Sequence, residues 1–262
     1  MQLSVIIVSY NVRYFIRQCL DSLFRSSQAA AIDVEVFVVD NDSKDGTIPY
    51  LKDAFASQLD ANNNNVRLHL IANRHNVGFG RANNQALRHC KGDYVLFLNA
   101  GDTFPQTDTL EQVAGAVGEG EVLPGVLYGD TDIVDNAGHF LRHRRLVPPQ
   151  NLSWRDFKWG MLVCHQAFYA RTDLAQRTPY RLQFGLSADV DWCIRVMKMA
   201  EQKGLVLRPI HAVVVNYLDG RMSIKHHRAS LKARFNVMRA HYGLLTTCAV
   251  HLWFLIRSFL RK

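Results

Sequence analysis

Four apolar runs in the first hundred residues limit the folds that are open to this chain. They begin near residues 3, 34, 67 and 94, and each of the first three is followed by a segment with helical character. Strands that are apolar on both faces and alternate with helices are typical of a parallel sheet covered by helices on both sides. The sequence therefore predicts an α/β fold built on a mostly parallel sheet.

Three of the predicted strands end in polar or acidic residues. Ser9 and Tyr10 follow the first run, Asp40 and Asp42 follow the second, and the loop 99–102 follows the fourth. One Asp after a strand is usually a helix cap or a turn residue. Three polar strand ends on one edge are more informative, because ligands of such sheets bind beyond the carboxyl ends of the strands.

Several phosphate-binding and hydrolytic motifs are missing. The segment 9–13 after the first strand contains no glycine, which argues against a dinucleotide-binding dehydrogenase, and Gly78 and Gly80 lack the third glycine of that fingerprint. The chain also has no Walker loop and no serine-hydrolase elbow. A carboxylate can hold a diphosphate only through a hard cation such as Mg²⁺ or Mn²⁺. Asp102 is the best candidate ligand for that cation.

Five segments in order resemble glycosyltransferase family 2, of the kind that makes bacterial polysaccharides, with the GT-A fold. They are residues 4–11, 38–47, 76–84, 92–102 and 189–195. The resemblance is clear over about residues 3–105 and looser to about 217. It implies that the protein moves a sugar from a nucleotide-diphosphate sugar to a hydroxyl of a glycan or lipid-linked acceptor. Inversion, and a role in cell-surface polysaccharide synthesis, are expected.

The resemblance also implies roles for matched positions. Asp40 would accept a hydrogen bond from the nucleobase in a pocket that Ser9 and Tyr10 line, and Asp42 would lie near the ribose or base. Arg81 and Asn84 would face the nucleotide. The divalent metal, Mg²⁺ or Mn²⁺, would be bound by Asp102.

Asn99 and Gly101 depart from the family pattern, which commonly has Asp at both places. Asn99 can still hydrogen bond to the substrate, but it brings no charge, so Asp102 carries the metal prediction nearly alone. An alternative function is open at this point: a nucleotide-sugar-binding protein of the same fold that is catalytically weak or inactive.

The second half of the chain supplies the candidate catalytic residues. Asp189 would be the general base that deprotonates the acceptor, with Asp191 as its rival or as the N-cap of the following helix. His165 lies in a predicted strand, 162–169, where it would contact the donor phosphate or the acceptor. A buried, hydrogen-bonded core residue is the other interpretation of this histidine.

The C-terminal segment is strongly basic. Residues 221–262 contain nine Lys or Arg and no Asp or Glu, whereas the rest of the chain is close to neutral. We therefore divide the chain into a GT-A domain, 1–220, and a basic amphipathic helical tail, 221–262. One face of the predicted last helix is apolar and comprises Leu245, Cys248, Ala249, Leu252, Trp253, Ile256, Phe259 and Leu260.

This tail predicts peripheral contact with anionic lipid, because it is too short and interrupted to span a bilayer. Packing on the domain or on another subunit is the alternative. A nucleic-acid partner is not expected, since the tail lacks a zinc motif or zipper heptads. Five scattered cysteines form no CxxC pair, which favours a reduced setting. The expected location is the cytoplasm, on the inner-membrane face.

Overall fold

A computed structural model describes residues 1–59, 65–118, 120, 122–220 and 227–260. The four predicted strands of the first half are confirmed, and four more follow in the second half. The strands are β1 (Gln2–Ser9), β2 (Asp33–Asp40), β3 (Val66–Ala72), β4 (Tyr94–Asn99), β5 (Val126–Val134), β6 (Phe140–His143), β7 (Phe168–Arg171) and β8 (Leu207–Leu218).

These strands form one mixed sheet in the order β3-β2-β1-β4-β7-β5-β6, and β8 pairs with β5. The first four strands are mutually parallel, and β7 is antiparallel to both β4 and β5. Because β7 reverses direction between them, β5 runs the same way as β4. The carboxyl ends of β1, β2, β4 and β5 therefore point to one edge, as the α/β prediction requires.

Helices cover both faces of the sheet. In α1, Ile16, Leu20 and Leu23 are completely buried, which confirms the helical spacing of the first connecting segment. The helices are α1 (Arg13–Ala30), α2 (Thr47–Ala54), α3 (Ala56–Leu59), α4 (Phe79–Leu87), α5 (Thr109–Val117), α6 (Thr172–Arg177), α7 (Ala188–Gln202), α8 (His227–Tyr242) and α9 (Leu244–Leu260). Short 3-10 helices span Trp154–Trp159, His165–Ala167 and Leu182–Ser187.

Two local predictions are corrected. The strand expected over 162–169 is only β7, because a 3-10 turn over His165–Ala167 precedes it. The pair Asp189 and Asp191 lies inside α7, whose N-cap is Ser187, so neither aspartate caps the helix.

The tail consists of two helices with different environments. Residues 221–226 of the predicted helical tail lie outside the described part of the chain, and the first tail helix, α8, begins at His227. In α8, Val237 and Met238 are buried, so this helix packs on the body of the protein and is not a free extension. Over the residues that the structure describes, no helix has the length and apolar character needed to cross a bilayer.

The last helix turns its apolar face outward. Leu245 is 87% exposed and Leu252 is 58% exposed, whereas Thr247 and Val250 on the other side are buried. His251 packs its ring against Phe235 of α8. The predicted amphipathic pattern is therefore present, but the more polar side faces the protein. The side chains of Phe259 and Leu260 lie outside the described part of the chain.

Candidate active site

The strand pairing places three predicted polar ends side by side. Ser9 of β1 is in register with Asp40 of β2, and Val8 is in register with Asn99 of β4. The loops that follow β1, β2 and β4 consequently share one edge of the sheet. The predicted convergence of these strand ends is confirmed.

Asp40 is the centre of a hydrogen-bonded cluster at this edge. Its carboxylate is almost completely buried, and Oδ2 accepts hydrogen bonds from Ser9 Oγ at 2.8 Å and Ser43 Oγ at 2.5 Å. The backbone N–H of Ser43 donates to Oδ1 at 2.9 Å. A buried carboxylate needs such donors to offset the loss of water. The cluster therefore holds Asp40 in one orientation without a cation.

The loops after β1 and β2 are joined by the same kind of contact. The backbone N–H of Asn11 donates to Ser43 Oγ, and Asn11 Oδ1 accepts from the backbone N–H of Lys44, both at 2.8 Å. Asn11 and Asp42 have positive φ angles of 54° and 69°, a conformation that Asn and Asp tolerate better than most residues. Asp42 accepts from Lys44 Nζ at 2.5 Å, and Tyr10 is half exposed at the mouth of this loop pair.

Arg81 and Asn84 lie on α4 but in different environments. The Arg81 side chain is exposed. Asn84 donates through Nδ2 to the carbonyl of Tyr180 at 3.1 Å and accepts from the backbone N–H of Tyr180 at 2.8 Å. Both ends of the Asn84 amide are thus used to join α4 to the segment before α7. Of the two residues expected to face the nucleotide, only Arg81 presents its polar group to solvent.

Asp102 is completely buried in the loop after β4. Its Oδ2 accepts from Asn99 Nδ2 at 2.8 Å, and its Oδ1 accepts from the backbone N–H of Leu218, at the end of β8, at 3.0 Å. An aspartate at position 99 would place a second carboxylate beside Asp102, and it could not donate the hydrogen bond that Asn99 Nδ2 donates to Asp102 Oδ2. The uncharged Asn99 is therefore matched to Asp102, and the loop is fastened to β8 as well as β4.

The donor set for a divalent cation is small. Among the described residues, no group of three or more His, Cys, Asp or Glu side chains is arranged to hold a metal ion. Mg²⁺ needs only one or two protein carboxylates when substrate phosphates and water complete its shell. The residues present are therefore compatible with a cation that is coordinated jointly by Asp102 and the phosphates of a bound donor.

Asp189 lies in the first turn of α7 and is partly buried. Its Oδ1 accepts from the backbone N–H of Val190 at 2.8 Å. Burial raises the pKa of Asp189, while the backbone bond and the charges of Arg234 and Arg144 oppose that rise. Asp189 belongs to no ion pair among the described residues, so its carboxylate can take a proton from another group.

Asp191, two residues later, is completely buried in a cluster of cations. It accepts from Arg181 through both carboxylate oxygens, from Arg195 Nε at 2.8 Å and from His241 Nε2 at 2.8 Å. Burial alone opposes ionisation, yet hydrogen bonds from His241 and Arg181 and the charge of Arg195 hold the pKa of Asp191 well below its ordinary value. Asp191 therefore serves as an anchor between α7, α8 and the segment before α7.

His165 is a core residue in this structure. Its side chain is nearly inaccessible, its ring stacks on Phe97 with centroids 5.1 Å apart, and its Nε2 hydrogen bonds with the Tyr180 hydroxyl. Burial lowers the pKa of His165 to about 3. This placement matches the core interpretation of His165.

Three further residues belong to the site region but were not selected from the sequence. Asp130 lies level with Asn99 through the β4–β7–β5 pairing, and burial together with Asp132 raises its pKa. The signal in the sequence that could have found Asp130 is its place shortly after the apolar run 126–128. Arg144 and Arg234 act on Asp189 from distant segments, and no local pattern marks either one.

Comparison with known proteins agrees with this geometry. The family model described as "Glycosyl transferase family 2" matches residues 4–177. A PGL/p-HBAD biosynthesis glycosyltransferase of Mycobacterium bovis is 33% identical over 215 residues, covering 82% of this chain and 75% of that protein. The O-antigen biosynthesis protein RfbC of Myxococcus xanthus is 28% identical over 199 residues, covering 75% of this chain and 14% of that protein.

Solved structures share the fold at low sequence identity. S. aureus TarS 1-349 in complex with UDP-GlcNAc has a TM-score of 0.67 and 19% identity, covering 92% of this chain and 65% of that one. The mannosyltransferase PcManGT from Pyrobaculum calidifontis, in complex with GDP-Man and Mn²⁺, has a TM-score of 0.59 and 17% identity, covering 97% and 80%. The chain therefore belongs to glycosyl transferase family 2, a transferase family, and has the GT-A-type fold.

Proposed function

We propose that this glycosyltransferase moves a sugar from a nucleotide-diphosphate sugar to a hydroxyl of a glycan or lipid-linked acceptor, with inversion and with Asp189 as general base. The observation that carries the proposal is the contrast within α7. Asp191 is saturated by cations, whereas Asp189 is partly buried, has a raised pKa and belongs to no ion pair among the described residues. Two carboxylates with such divergent environments are typical of a division between structural and catalytic roles.

The donor is assigned to the edge formed by β1, β2 and β4. Asp40, whose orientation is fixed by Ser9 and Ser43, would accept a hydrogen bond from the nucleobase. Tyr10 and Asp42 border the same loops, and the exposed Arg81 supplies a cation for the phosphates. Two structures of the same fold are complexes with UDP-GlcNAc and with GDP-Man, which supports a nucleotide-sugar donor here.

A divalent cation would be held by Asp102 together with the donor's diphosphate. When bound, it would neutralise charge on the departing nucleotide. Mn²⁺ accompanies GDP-Man in the PcManGT complex, which supports this assignment. Asn99 keeps Asp102 oriented through its amide. Thermal unfolding with a nucleotide sugar, with and without Mn²⁺, measures the effect, and a D102N variant that keeps the full Mn²⁺-dependent shift would contradict the assignment.

The protein's own part in the chemistry is proton removal and alignment. Asp189 takes the proton of the acceptor hydroxyl as its oxygen attacks the anomeric carbon and the bond to the nucleotide diphosphate breaks. One displacement inverts the anomeric configuration. Positioned general bases contribute roughly 10²- to 10⁴-fold to rate.

The test is D189N, which preserves shape but removes the base. We expect turnover to fall by about 10²- to 10⁴-fold, while nucleotide binding and thermal stability stay close to wild type. A D189N enzyme with normal turnover would refute Asp189 as base. The alternative is an inactive nucleotide-sugar-binding protein, which is favoured by Asn99 and Gly101 in place of the usual aspartates. This alternative is correct if the wild-type protein binds nucleotide sugars but neither transfers nor hydrolyses them.

The acceptor side is proposed to lie at a membrane surface. The outward face of α9 exposes Leu245, Leu252, Trp253 and Ile256, with Leu245 87% accessible. In sequence, the tail contains nine Lys or Arg and no Asp or Glu. Exposed apolar area beside positive charge is suited to the headgroup region of an anionic bilayer. Relatives named for PGL/p-HBAD and O-antigen biosynthesis support a glycolipid or cell-surface glycan as acceptor.

Co-sedimentation with vesicles tests this tail. Binding to vesicles that contain phosphatidylglycerol should be lost in the double variant L252E/W253E and kept in F140E, which alters an exposed aromatic residue on β6. Equal binding by wild type and the double variant would overturn the proposal. A concentration-dependent dimer that the double variant abolishes would instead identify a second copy of the chain as the occupant of this face.

A further inference from the structure

A cavity of about 270 Å³ lies between β5, β8 and the loop that precedes the first 3-10 helix. Tyr128 and three prolines form its apolar part, and Asp130, Gln150 and His211 form its polar part. The Tyr128 hydroxyl donates to the carbonyl of Gln150 at 2.8 Å and accepts from the backbone N–H of Leu152 at 3.2 Å. These bonds attach the loop to the sheet, so the fold itself determines the shape of the cavity.

The cavity lies on the same face of the sheet as the proposed base. Tyr128 of β5 pairs with Phe168 of β7, and paired residues of neighbouring strands point to the same face. On that face Phe168 packs against Trp192 of α7, with ring centroids 5.6 Å apart. Asp189 lies three residues before Trp192, on the same side of α7. The cavity therefore belongs to the Asp189 side of the substrate edge.

A bulge in β8 brings His211 to this cavity. Two residue steps along β5, from Tyr128 to Asp130, oppose four steps along β8. His211 lies within the extra segment and has a φ of 55°, a left-handed conformation that is uncommon for residues other than glycine. Bulges re-aim side chains and are frequent beside active sites. The irregular pairing thus places an imidazole in the same cavity as the Asp130 carboxylate.

The polar side chains of the cavity are free to bind a ligand. Those of Asp130, Gln150 and His211 make no hydrogen bond or ion pair with another residue that the structure describes. Asp132, two residues further along β5, instead hydrogen bonds with His143 Nδ1 at 2.7 Å. Burial raises the pKa of Asp130 and Asp132 adds to the rise, while His143 and His211 oppose it. Asp130 is therefore a partly desolvated carboxylate without a partner among these residues.

We propose that this cavity binds one neutral sugar ring of the acceptor, with Asp130 accepting hydrogen bonds from its hydroxyl groups. The inference deepens the proposed function and rests on it, because the acceptor proposed there is a glycan or a lipid-linked saccharide. An ionised carboxylate only accepts hydrogen bonds, so its ligand must donate, and hydroxyl groups do. Gln150 and His211 can each donate and accept. The proline rings present C–H surface to the apolar side of a sugar.

Other classes of ligand fit the cavity less well. The Asp130 carboxylate repels phosphates and carboxylates. A metal ion would lack ligands, since no group of three or more His, Cys, Asp or Glu side chains in the described ranges is arranged to hold one. The cavity is slightly smaller than the roughly 300–1,000 Å³ of pockets for drug-sized ligands, which suits a single ring.

The experiment is saturation-transfer NMR on the full chain with the methyl glycosides of glucose, galactose, mannose and N-acetylglucosamine. We expect the wild-type protein to bind at least one of them. D130N should weaken that binding by about tenfold or more, because hydrogen bonds to charged groups are the stronger ones. H211G removes the imidazole and should weaken it in the same direction. D132N alters the neighbouring carboxylate outside the cavity and should leave binding unchanged.

Equal binding by wild type, D130N and H211G would overturn the proposal, as would the absence of binding to all four glycosides. Thermal unfolding reports folding. Both variants should be at least as stable as wild type, because one loses an unpaired, partly buried charge and the other places glycine at a positive φ.

The two proposals fail separately. D189N should keep glycoside binding, because Asp189 does not line the cavity. A protein that transfers sugar but shows no binding that depends on Asp130 refutes the sugar site alone. Normal turnover in D189N refutes the base alone.

Discussion

The two sides of the candidate active site are constructed in different ways. The donor side, around Asp40, consists of hydrogen bonds from Ser9 and Ser43 hydroxyls and one backbone N–H to a buried carboxylate. The cluster around Asp191, beside the proposed base Asp189, consists of ion pairs with Arg181 and Arg195 and a hydrogen bond with His241. Neutral donors from adjacent strands form the first group. In the second, Arg195 lies one helical turn from Asp191, Arg181 lies in the segment just before α7, and His241 comes from α8.

This difference has a structural cause and an energetic consequence. Parallel pairing of β1 with β2 brings Ser9 beside Asp40, so the donor side forms whenever the sheet forms. The cluster around Asp191 is completed only when α8 docks, because His241 is fifty residues from Asp191. A charge removed from a buried ion-pair cluster costs more than one hydrogen bond. The two sides should therefore differ sharply in their sensitivity to substitution.

The largest effect on stability is expected for D191A. Removing this carboxylate leaves the largely buried Arg195 guanidinium without its ion-pair partner, which should lower the free energy of unfolding by about 3–5 kcal/mol. The measurement is denaturant unfolding at neutral pH. The contribution of Asp191 is complete above the ordinary Asp value of 3.8 and declines as the pH falls toward its depressed folded pKa.

The control for that prediction is D173N. Asp173 pairs with Arg171 and Lys203, but its side chain is 39% exposed, so water screens the interaction. Such a surface pair should contribute about 0–1 kcal/mol. If D191A and D173N lose equal stability, the cluster around Asp191 is not the anchor described above.

A smaller effect is expected on the donor side from D40N. An amide in place of the carboxylate loses one acceptor oxygen and presents N–H groups to existing donors, a change that costs about 1–3 kcal/mol. The shift in thermal unfolding produced by a nucleotide sugar should also be lost. D42N is the matched control for stability, because the ion pair that the structure describes for Asp42 is with the exposed Lys44. Unchanged nucleotide binding in D40N would contradict the placement of the nucleobase.

The smallest effect at neutral pH is a pH slope of stability caused by His165. Burial lowers its pKa to about 3 from the ordinary 6.5, so the unfolded chain binds a proton over that range and the folded protein does not. Stability should therefore fall as the pH drops below 6.5, by up to about 1.4 kcal/mol per unit. H165Q should lack this component, and H143Q, which alters an exposed histidine, should keep it. Equal slopes in wild type and H165Q would contradict the buried neutral state.

The sheet and its polar edge were predictable because they follow from local periodicity. Apolar runs that alternate with helices predict a parallel sheet. In a parallel sheet the strand ends lie on the same edge, and Ser9, Asp40 and Asn99 are therefore brought together there. The boundaries of β7 were not predictable, since a 3-10 turn and a strand have similar apolar composition around His165.

What sequence alone determined about this protein is its family, its α/β sheet and the residue types along one edge of that sheet. Sequence alone could not assign different roles to Asp189 and Asp191, because both are aspartates and they lie two positions apart in one helical turn. Tertiary structure gives them different environments, because Arg181 and His241 reach Asp191, whereas Asp189 belongs to no ion pair in the part of the chain that the structure describes. The ionisation of a carboxylate depends on the charges and burial around it, and those are set only when distant segments pack together.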